Sequence, residues 1–231
     1  MKKPIIGIVG RPDTAQNEYT LMSISENYRN AVLSCGGIPI LILPTQIIDY
    51  EKTKPKDVIP MTEEEKMMLL AVLDKCDGIL MPGGFRVYEY DRFICDYAIK
   101  NDKPLLGLCL GMQLMSFYAG DYTLERNSEE GFNHFQRDIE YVHKVDIVDN
   151  TKLKQIIGDL NELEVNSRHN YHITNPDQFV VSAYSFDNLI EAIEMPSKRF
   201  IMGIQWHVEA MVPYDEINKK IFTAFIEAAK K

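Results

Sequence analysis

A chain of 231 residues, 45% hydrophobic and with a net charge of −9, is long enough to bury one sizeable core. Its 34 acidic residues outnumber 25 lysines and arginines, and no basic run exceeds a pair, so the electrostatic footprint of a nucleic-acid binder is missing. No stretch approaches the roughly 20 apolar residues of a membrane helix, and the start MKKPIIGIVGRPD runs into glycine and proline too early for a signal peptide. The expectation is a cytoplasmic, one-domain protein (1–231) that works on small molecules rather than on nucleic acid or membranes.

Apolar, partly β-branched runs bounded by Pro or Gly recur at 4–10, 38–44, 77–84 and 103–109. Between them lie three segments of helical length. One opens on Ser25 (25–35), one has Thr62 followed by Glu65 in capping-box spacing (62–74), and the third covers 88–100. Continuously apolar strands alternating with helices predict a doubly wound α/β fold around a parallel sheet. The polar segment 46–61 is predicted to be a loop over the active face. After about residue 120 the runs shorten to DIEYVHKVDIV, FVVSAYSF, NLIEAIEM and RFIMGIQW, a mainly β second half resembling hairpins. The C-terminal segment carries Ile217, Ile221, Ala224, Phe225 and Ala228 on one helical face.

Cys35, Cys76, Cys95 and Cys109 contain no CxxC pair, so free thiols in a reducing compartment are expected, with neither a disulfide scaffold nor a zinc ribbon. Cys109 stands apart. It falls in GLCLG, between a predicted strand and a predicted helix, at the carboxyl edge where α/β sheets bind ligands. Flanking glycines permit the sharp turn of a nucleophile elbow, and a helix N-terminus behind the sulfur favours the thiolate. A free cysteine is otherwise a small buried hydrophobe, which is the reading for the other three.

A thiol nucleophile needs a base. His207 follows the strong apolar run FIMGIQW, and Glu209 comes two residues later; on an extended chain both would point to one side, completing a Cys-His-Glu triad. MPGG at 81–84 follows the strand expected beside that of Cys109, so the N–H groups of Gly84 and Leu110 are the candidate oxyanion hole.

These stretches, with ENYRNAVLSCGGIPILILP, HFQRDIEYVHKVDI, VNSRHNYHI and LIEAIE, resemble the class I glutamine amidotransferase-like proteins. The similarity is greatest to their peptidase C26 branch, which includes gamma-glutamyl-gamma-aminobutyrate hydrolases. The resemblance implies a flavodoxin-like three-layer α/β/α fold with a central, mostly parallel sheet. It also implies a thioester mechanism on a small gamma-glutamyl substrate, a catalytic triad of Cys109, His207 and Glu209, and no cofactor. Gln113 and Gly83 match positions that hold the glutamyl group, and Arg168, His169 and Asn170 match further substrate contacts. Homodimers occur among related proteins.

The chain departs from its relatives at three places. Val208 replaces the usual proline between His207 and Glu209, Arg86 stands where an aspartate usually follows the Gly-Gly, and SRHNYHI lacks an adjacent histidine pair. Two alternatives accompany the hydrolase: a glutaminase subunit feeding ammonia to a separate synthetase, and a catalytically silent binding protein on the same scaffold. No metal ligand set is expected, because the histidines show no i, i+4 pair.

Overall fold

The computed structural model describes residues 2–14, 20–50, 52–53, 59–116, 124–176 and 178–230. The chain opens with β1 (Ile5–Val9), then β2 (Arg11–Thr14) paired antiparallel with β3 (Thr20–Ser23). The helix α1 (Glu26–Ser34), capped by Ser25, leads into β4 (Ile38–Ile42). The capping box at Thr62 forms as the spacing predicts: the Thr62 hydroxyl accepts from Glu65 N–H at 3.2 Å, and the Glu65 carboxylate accepts from Thr62 N–H at 2.7 Å. It starts α2 (Glu63–Leu73), followed by β5 (Gly78–Met81), α3 (Glu89–Lys100), β6 (Leu105–Leu108) and α4 (Leu110–Ser116).

The second half contains β7 (Leu124–Arg126), β8 (Phe135–Gln136), β9 (His143–Ile147) and α5 (Lys152–Ile157). Next come β10 (Glu162–Val165), β11 (Ser167–Arg168), β12 (Tyr171–Ile173) and β13 (Val180–Ser185). The chain continues through β14 (Ile190–Glu194), β15 (Ile201–Ile204), α6 (Val208–Met211) and α7 (Glu216–Ala228).

A nine-stranded sheet runs in the order β10-β9-β13-β14-β15-β6-β5-β1-β4. The strands β4, β1, β5, β6 and β15 are parallel, and β14, β13, β9 and β10 extend the sheet through antiparallel pairings. The β-rich half is thus continuous with the parallel half. Burial on both faces explains the unbroken apolar runs of β1, β5 and β6, whereas β4, at the edge, leaves Ile38 and Leu41 exposed. Leu106 and Leu108 turn to the side covered by α1 and α7, where Val32, Phe222 and Phe225 pack, while Leu105 turns to the side of α2, α3 and α4, with Leu69, Ile94 and Met112. This is the flavodoxin-like three-layer α/β/α architecture.

On α7 the buried face is rotated from the predicted one. Asn218, Ile221, Phe222, Phe225 and Ile226 are buried, while Ile217, Ala224 and Ala228 are partly buried at its margin. The rotation serves Trp206, whose indole N–H, buried with its ring, donates to Asn218 Oδ1 at 2.9 Å.

Segment 46–61 is anchored to the helical layer at its start and reaches the cleft beside Cys109 at Thr53, whose carbonyl accepts from Arg86 Nη1 at 3.4 Å. Gln46 and Ile47 are tied to α3 and α2, Tyr90 N–H donating to Gln46 Oε1 at 3.3 Å and Ile47 N–H to Glu65 Oε1 at 2.7 Å. Residues 51 and 54–58 of it, and 117–119 of the helix predicted after Cys109, lie outside the described residues.

Candidate active site

Cys109 sits between β6 and α4 with φ +53°, a left-handed conformation that a residue with a side chain adopts only under constraint. Two glycines supply the constraint. A Cβ on Gly111 would lie 2.1 Å from the carbonyl oxygen of Met81, and one on Gly107 would lie 2.6 Å from that of Gly111. The first turn of α4 therefore lies directly against β5 and β6, and the chain must bend sharply at Cys109 to enter it. The elbow expected from GLCLG is present. Cys76 and Cys95 are buried packing residues, and burial pushes the Cys76 thiol up to about 11.

β15 is the immediate parallel neighbour of β6, with Ile204 opposite Leu108, and Cys109 N–H donates to the Ile204 carbonyl at 2.8 Å. The strand that ends at the candidate nucleophile thus lies beside the one that delivers the candidate base. The His207 ring and the Cys109 side chain face one cleft, and the ring's Nδ1–H donates to Glu209 Oε1 at 2.7 Å. Burial opposes the ring's positive charge, but the Glu209 carboxylate and the Cys109 side chain outweigh it, raising the His207 pKa to about 10. The three residues meet as expected, by a different local path. His207 is not extended into Glu209: it is the N-cap of α6, and Glu209 reaches back from the first turn of that helix. Val208 points into the core and is fully buried. The aliphatic side chain occupies the place of the family's proline without disturbing the ring-carboxylate bond.

Two holding residues escaped the sequence reading. Asn166 Nδ2 donates to the His207 carbonyl at 2.9 Å, and its Oδ1 accepts the His207 N–H at 2.8 Å. The Tyr28 hydroxyl accepts the Gly83 N–H at 2.9 Å beside Glu209, and burial, with that carboxylate, keeps its pKa well above the ordinary phenol value. No local pattern marks either one, since their partners lie 41 and 55 residues away.

MPGG abuts Cys109 and His207: a Cβ on Gly83 would lie 3.2 Å from His207 Cε1 and 3.4 Å from Cys109 Cβ. The Gly83 N–H is spent on Tyr28. Gly84 lies against Leu110, whose Cδ2 would be 3.1 Å from an added Cβ, and Leu110 opens α4, where first-turn N–H groups lack helical acceptors.

Two clefts share Cys109, Gly84, Phe85, Phe135 and Arg168. The larger, of about 460 Å³, adds Arg11, Ser25, Asn27, Tyr28, Arg137 and His207. The smaller, of about 300 Å³, adds Arg86, Gln113, His169, Asn170 and Tyr171. Arg11 is buried in an ion pair with Asp91 at 2.5 Å, which raises its pKa although burial alone would lower it. Arg137 lies over the Phe135 ring, 4.9 Å from its centroid. Gln113 is buried rather than solvent-facing, and its Nε2 donates to Tyr171 O at 2.9 Å and Gln205 Oε1 at 3.0 Å. Because a carbonyl can only accept, this fixes the amide orientation and leaves Gln113 Oε1 as the group available to a ligand.

The peptidase C26 family model matches residues 86–209, more than half of the chain and all three triad positions. The chain belongs to the peptidase C26 family. This C26 chain is a hydrolase of the glutamine amidotransferase type. It is 26% identical to a glutamine amidotransferase-like protein of Rickettsia prowazekii over 99% of both chains. It is 32% identical to the CTP synthase of Lactiplantibacillus plantarum, over 80% of this chain and 39% of that protein. Among solved structures, the glutaminase domain of Trypanosoma brucei CTP synthase with bound acivicin superposes with a TM-score of 0.64 at 20% identity, covering 98% of this chain and 93% of that one. A GMP synthase subunit from Thermoplasma acidophilum gives a TM-score of 0.67 at 18% identity, covering 99% of this chain and 95% of that one. At these identities the two structures speak for the fold. Among the described residues, no helix is long and apolar enough to cross a membrane.

Proposed function

We propose that this chain hydrolyses the gamma-amide of a small gamma-glutamyl compound through a thioester on Cys109, and that the leaving amine carries a carboxylate, as gamma-aminobutyrate does. The observation that carries this reading is the position of Cys109 at the junction of two clefts of different chemistry, with His207 and Glu209 in place.

The glutamyl group fits the smaller cleft. There Gln113 Oε1 is an acceptor for the alpha-ammonium, and Arg168, with His169 and Asn170 beside it, offers a donor fork for the alpha-carboxylate. The amine fits the larger cleft, where Arg137 at the rim supplies positive charge for its carboxylate. The Cys109 thiolate attacks the gamma-carbonyl carbon, and the displaced electron pair goes onto oxygen, facing the N–H groups of Gly84 and Leu110. As the carbon–nitrogen bond breaks, His207 gives its proton to the leaving amine. Water then attacks the thioester while His207 takes its proton, the carbon–sulfur bond breaks and glutamate leaves.

Treatment with an electrophilic glutamine analogue, followed by intact mass, should give one adduct that is absent in Cys109→Ala. An unmodified wild-type chain, or an equal adduct on the variant, overturns the reading. A panel comparing gamma-glutamyl-aminobutyrate, a gamma-glutamyl alkylamide and glutamine tests the substrate, with the carboxylate-bearing compound expected to have the highest kcat/KM.

The match to CTP synthases favours a second reading, in which the chain is a glutaminase that passes ammonia to a separate synthetase. This chain spans only 39% of the Lactiplantibacillus plantarum relative. Near inertness of the isolated protein towards the whole panel, despite a Cys109 adduct, would select this second reading.

A further inference from the structure

Away from the triad, His134, His143, His169 and Glu191 converge, with one potential ligand atom of each lying within 4.8 Å of all the others. Their exposures are 2%, 8%, 3% and 0%. They come from four places in the chain: the segment before β8, the start of β9, the turn after β11, and the middle of β14.

Hydrogen bonding fixes which nitrogen of each ring faces inward. His143 Nδ1 is 3.1 Å from the Lys144 carbonyl, His169 Nδ1 is 3.1 Å from the Tyr171 carbonyl, and His134 Nε2 is 3.0 Å from the Asp187 carboxylate. Carbonyls accept only, so the two outward Nδ1 atoms carry protons, and the Asp187 carboxylate draws the proton of His134 to Nε2. The inward atoms, His134 Nδ1, His143 Nε2 and His169 Nε2, are therefore lone pairs in the neutral rings. They face Glu191 Oε1 at 3.9, 3.7 and 3.4 Å.

Nothing at those distances is a hydrogen bond. His143 Nε2, His169 Nε2 and both Glu191 oxygens are buried without a hydrogen-bond partner, whereas the His134 Nδ1 lone pair accepts from the Ser167 hydroxyl at 3.2 Å, a bond that an ion would replace. Lone pairs and a carboxylate packed together away from water repel one another and carry a large desolvation penalty. A cation at their centre removes both costs. Around zinc, bonds of about 2.0–2.1 Å set tetrahedral ligand atoms about 3.3–3.4 Å apart; His169 Nε2 already stands 3.4 Å from Glu191 Oε1, and the wider pairs, within 4.8 Å, close onto the ion. The outward carbonyls and Asp187 are the outer partners that metal-bound histidines use to fix ring orientation.

We propose that His134, His143, His169 and Glu191 form a structural site for one divalent transition-metal ion of the imidazole-preferring kind, zinc first among them. It joins β9 and β14 of the large sheet to the 134 and 169 segments. Arg168, Asn170 and Tyr171, which line the smaller cleft beside Cys109, flank His169 in the chain. The ion thus pins a wall of that cleft without touching the triad.

The test uses the full chain stripped with a chelator and then titrated with zinc or cobalt(II). Native mass spectrometry should show one ion per chain, the Tm should rise, and cobalt should give the visible d–d bands of a tetrahedral site. Glu191→Gln and His143→Ala should each lose the bands and the Tm rise, whereas Cys109→Ala should keep both, separating this site from the catalytic thiol. Wild-type protein that takes up no ion, or uptake abolished by Cys109→Ala and untouched in His143→Ala, overturns the proposal. Because ion uptake by the wild-type chain is decisive by itself, a variant that fails to fold does not remove the test.

Discussion

Asn166 grips His207 by both backbone groups at once, donating to its carbonyl at 2.9 Å and accepting from its N–H at 2.8 Å. The ring is free of this contact, so Asn166 sets where the imidazole starts from rather than its proton affinity. In Asn166→Ala the proposed base, His207, loses its anchor, and displacement of about 1 Å costs on the order of 10²-fold in rate. We expect kcat to fall by that amount with KM little changed. A rise in KM alone, in steady-state kinetics, would assign Asn166 to substrate binding instead.

The His207 pKa of about 10 has consequences for pH dependence. Its folded value lies above the unfolded one of 6.5, so the stabilisation from this group is full below pH 6.5 and is lost progressively as the pH rises to about 10. Removing the carboxylate in Glu209→Gln should flatten that decline and move the alkaline limb of the activity profile to lower pH, with kcat down by about 10²–10⁴-fold. A pH-rate profile and denaturation midpoints across pH 6–10 read both effects. An unmoved alkaline limb would detach the limb from His207.

Much of this site could be read from the chain because its decisive residues sit in short motifs. GLCLG announces a strand-to-helix elbow, MPGG an open backbone, and WHVE a base with its carboxylate. The extended conformation assumed for His207 was overturned because His207 caps a helix, which two residues of spacing cannot reveal. Asn166, Tyr28 and the ring cluster around Glu191 were illegible for another reason. Tyr28 on α1 meets Gly83 only once β5 is in place in the parallel half, and Asn166 and the ring cluster join segments brought together by β9, β10, β14 and β15 in one sheet; no i, i+4 spacing records either.

Gly111 tests the elbow. Its Cβ would meet a backbone carbonyl at 2.1 Å, which only a shift of α4 or β5 can relieve. Gly111→Ala should therefore destabilise the protein by about 3 kcal/mol, the upper end of the usual overpacking range, and lower activity with it. Gly36→Ala is the comparison: φ is +91° with nothing within 4 Å of an added Cβ, leaving about 1–2 kcal/mol of backbone strain. Chemical denaturation of the two variants should preserve that ranking, and equal losses would show that the Met81 contact yields easily.

Arg137 is exposed over Phe135 at the rim of the larger cleft, so its loss should leave the fold unaffected. In Arg137→Ala, KM for a gamma-glutamyl amide with a carboxylate on its leaving group should rise about tenfold, from the lost charge-assisted hydrogen bond. An alkylamide substrate should be indifferent to the change. Equal effects on both would place the carboxylate elsewhere.

β6 and β15 are neighbours in the sheet, yet Leu108 and Ile204 are separated by most of the second half of the chain. During synthesis Cys109 therefore emerges long before His207, its proposed base, and the N-terminal portion begins to fold first. Until the residue-201 strand slots in beside β6, Cys109 has no imidazole to draw its proton. A ribosome-bound or truncated chain thus carries an idle thiol, and reactivity arrives only as the sheet is completed, so labelling of Cys109 doubles as a report on how far folding has gone.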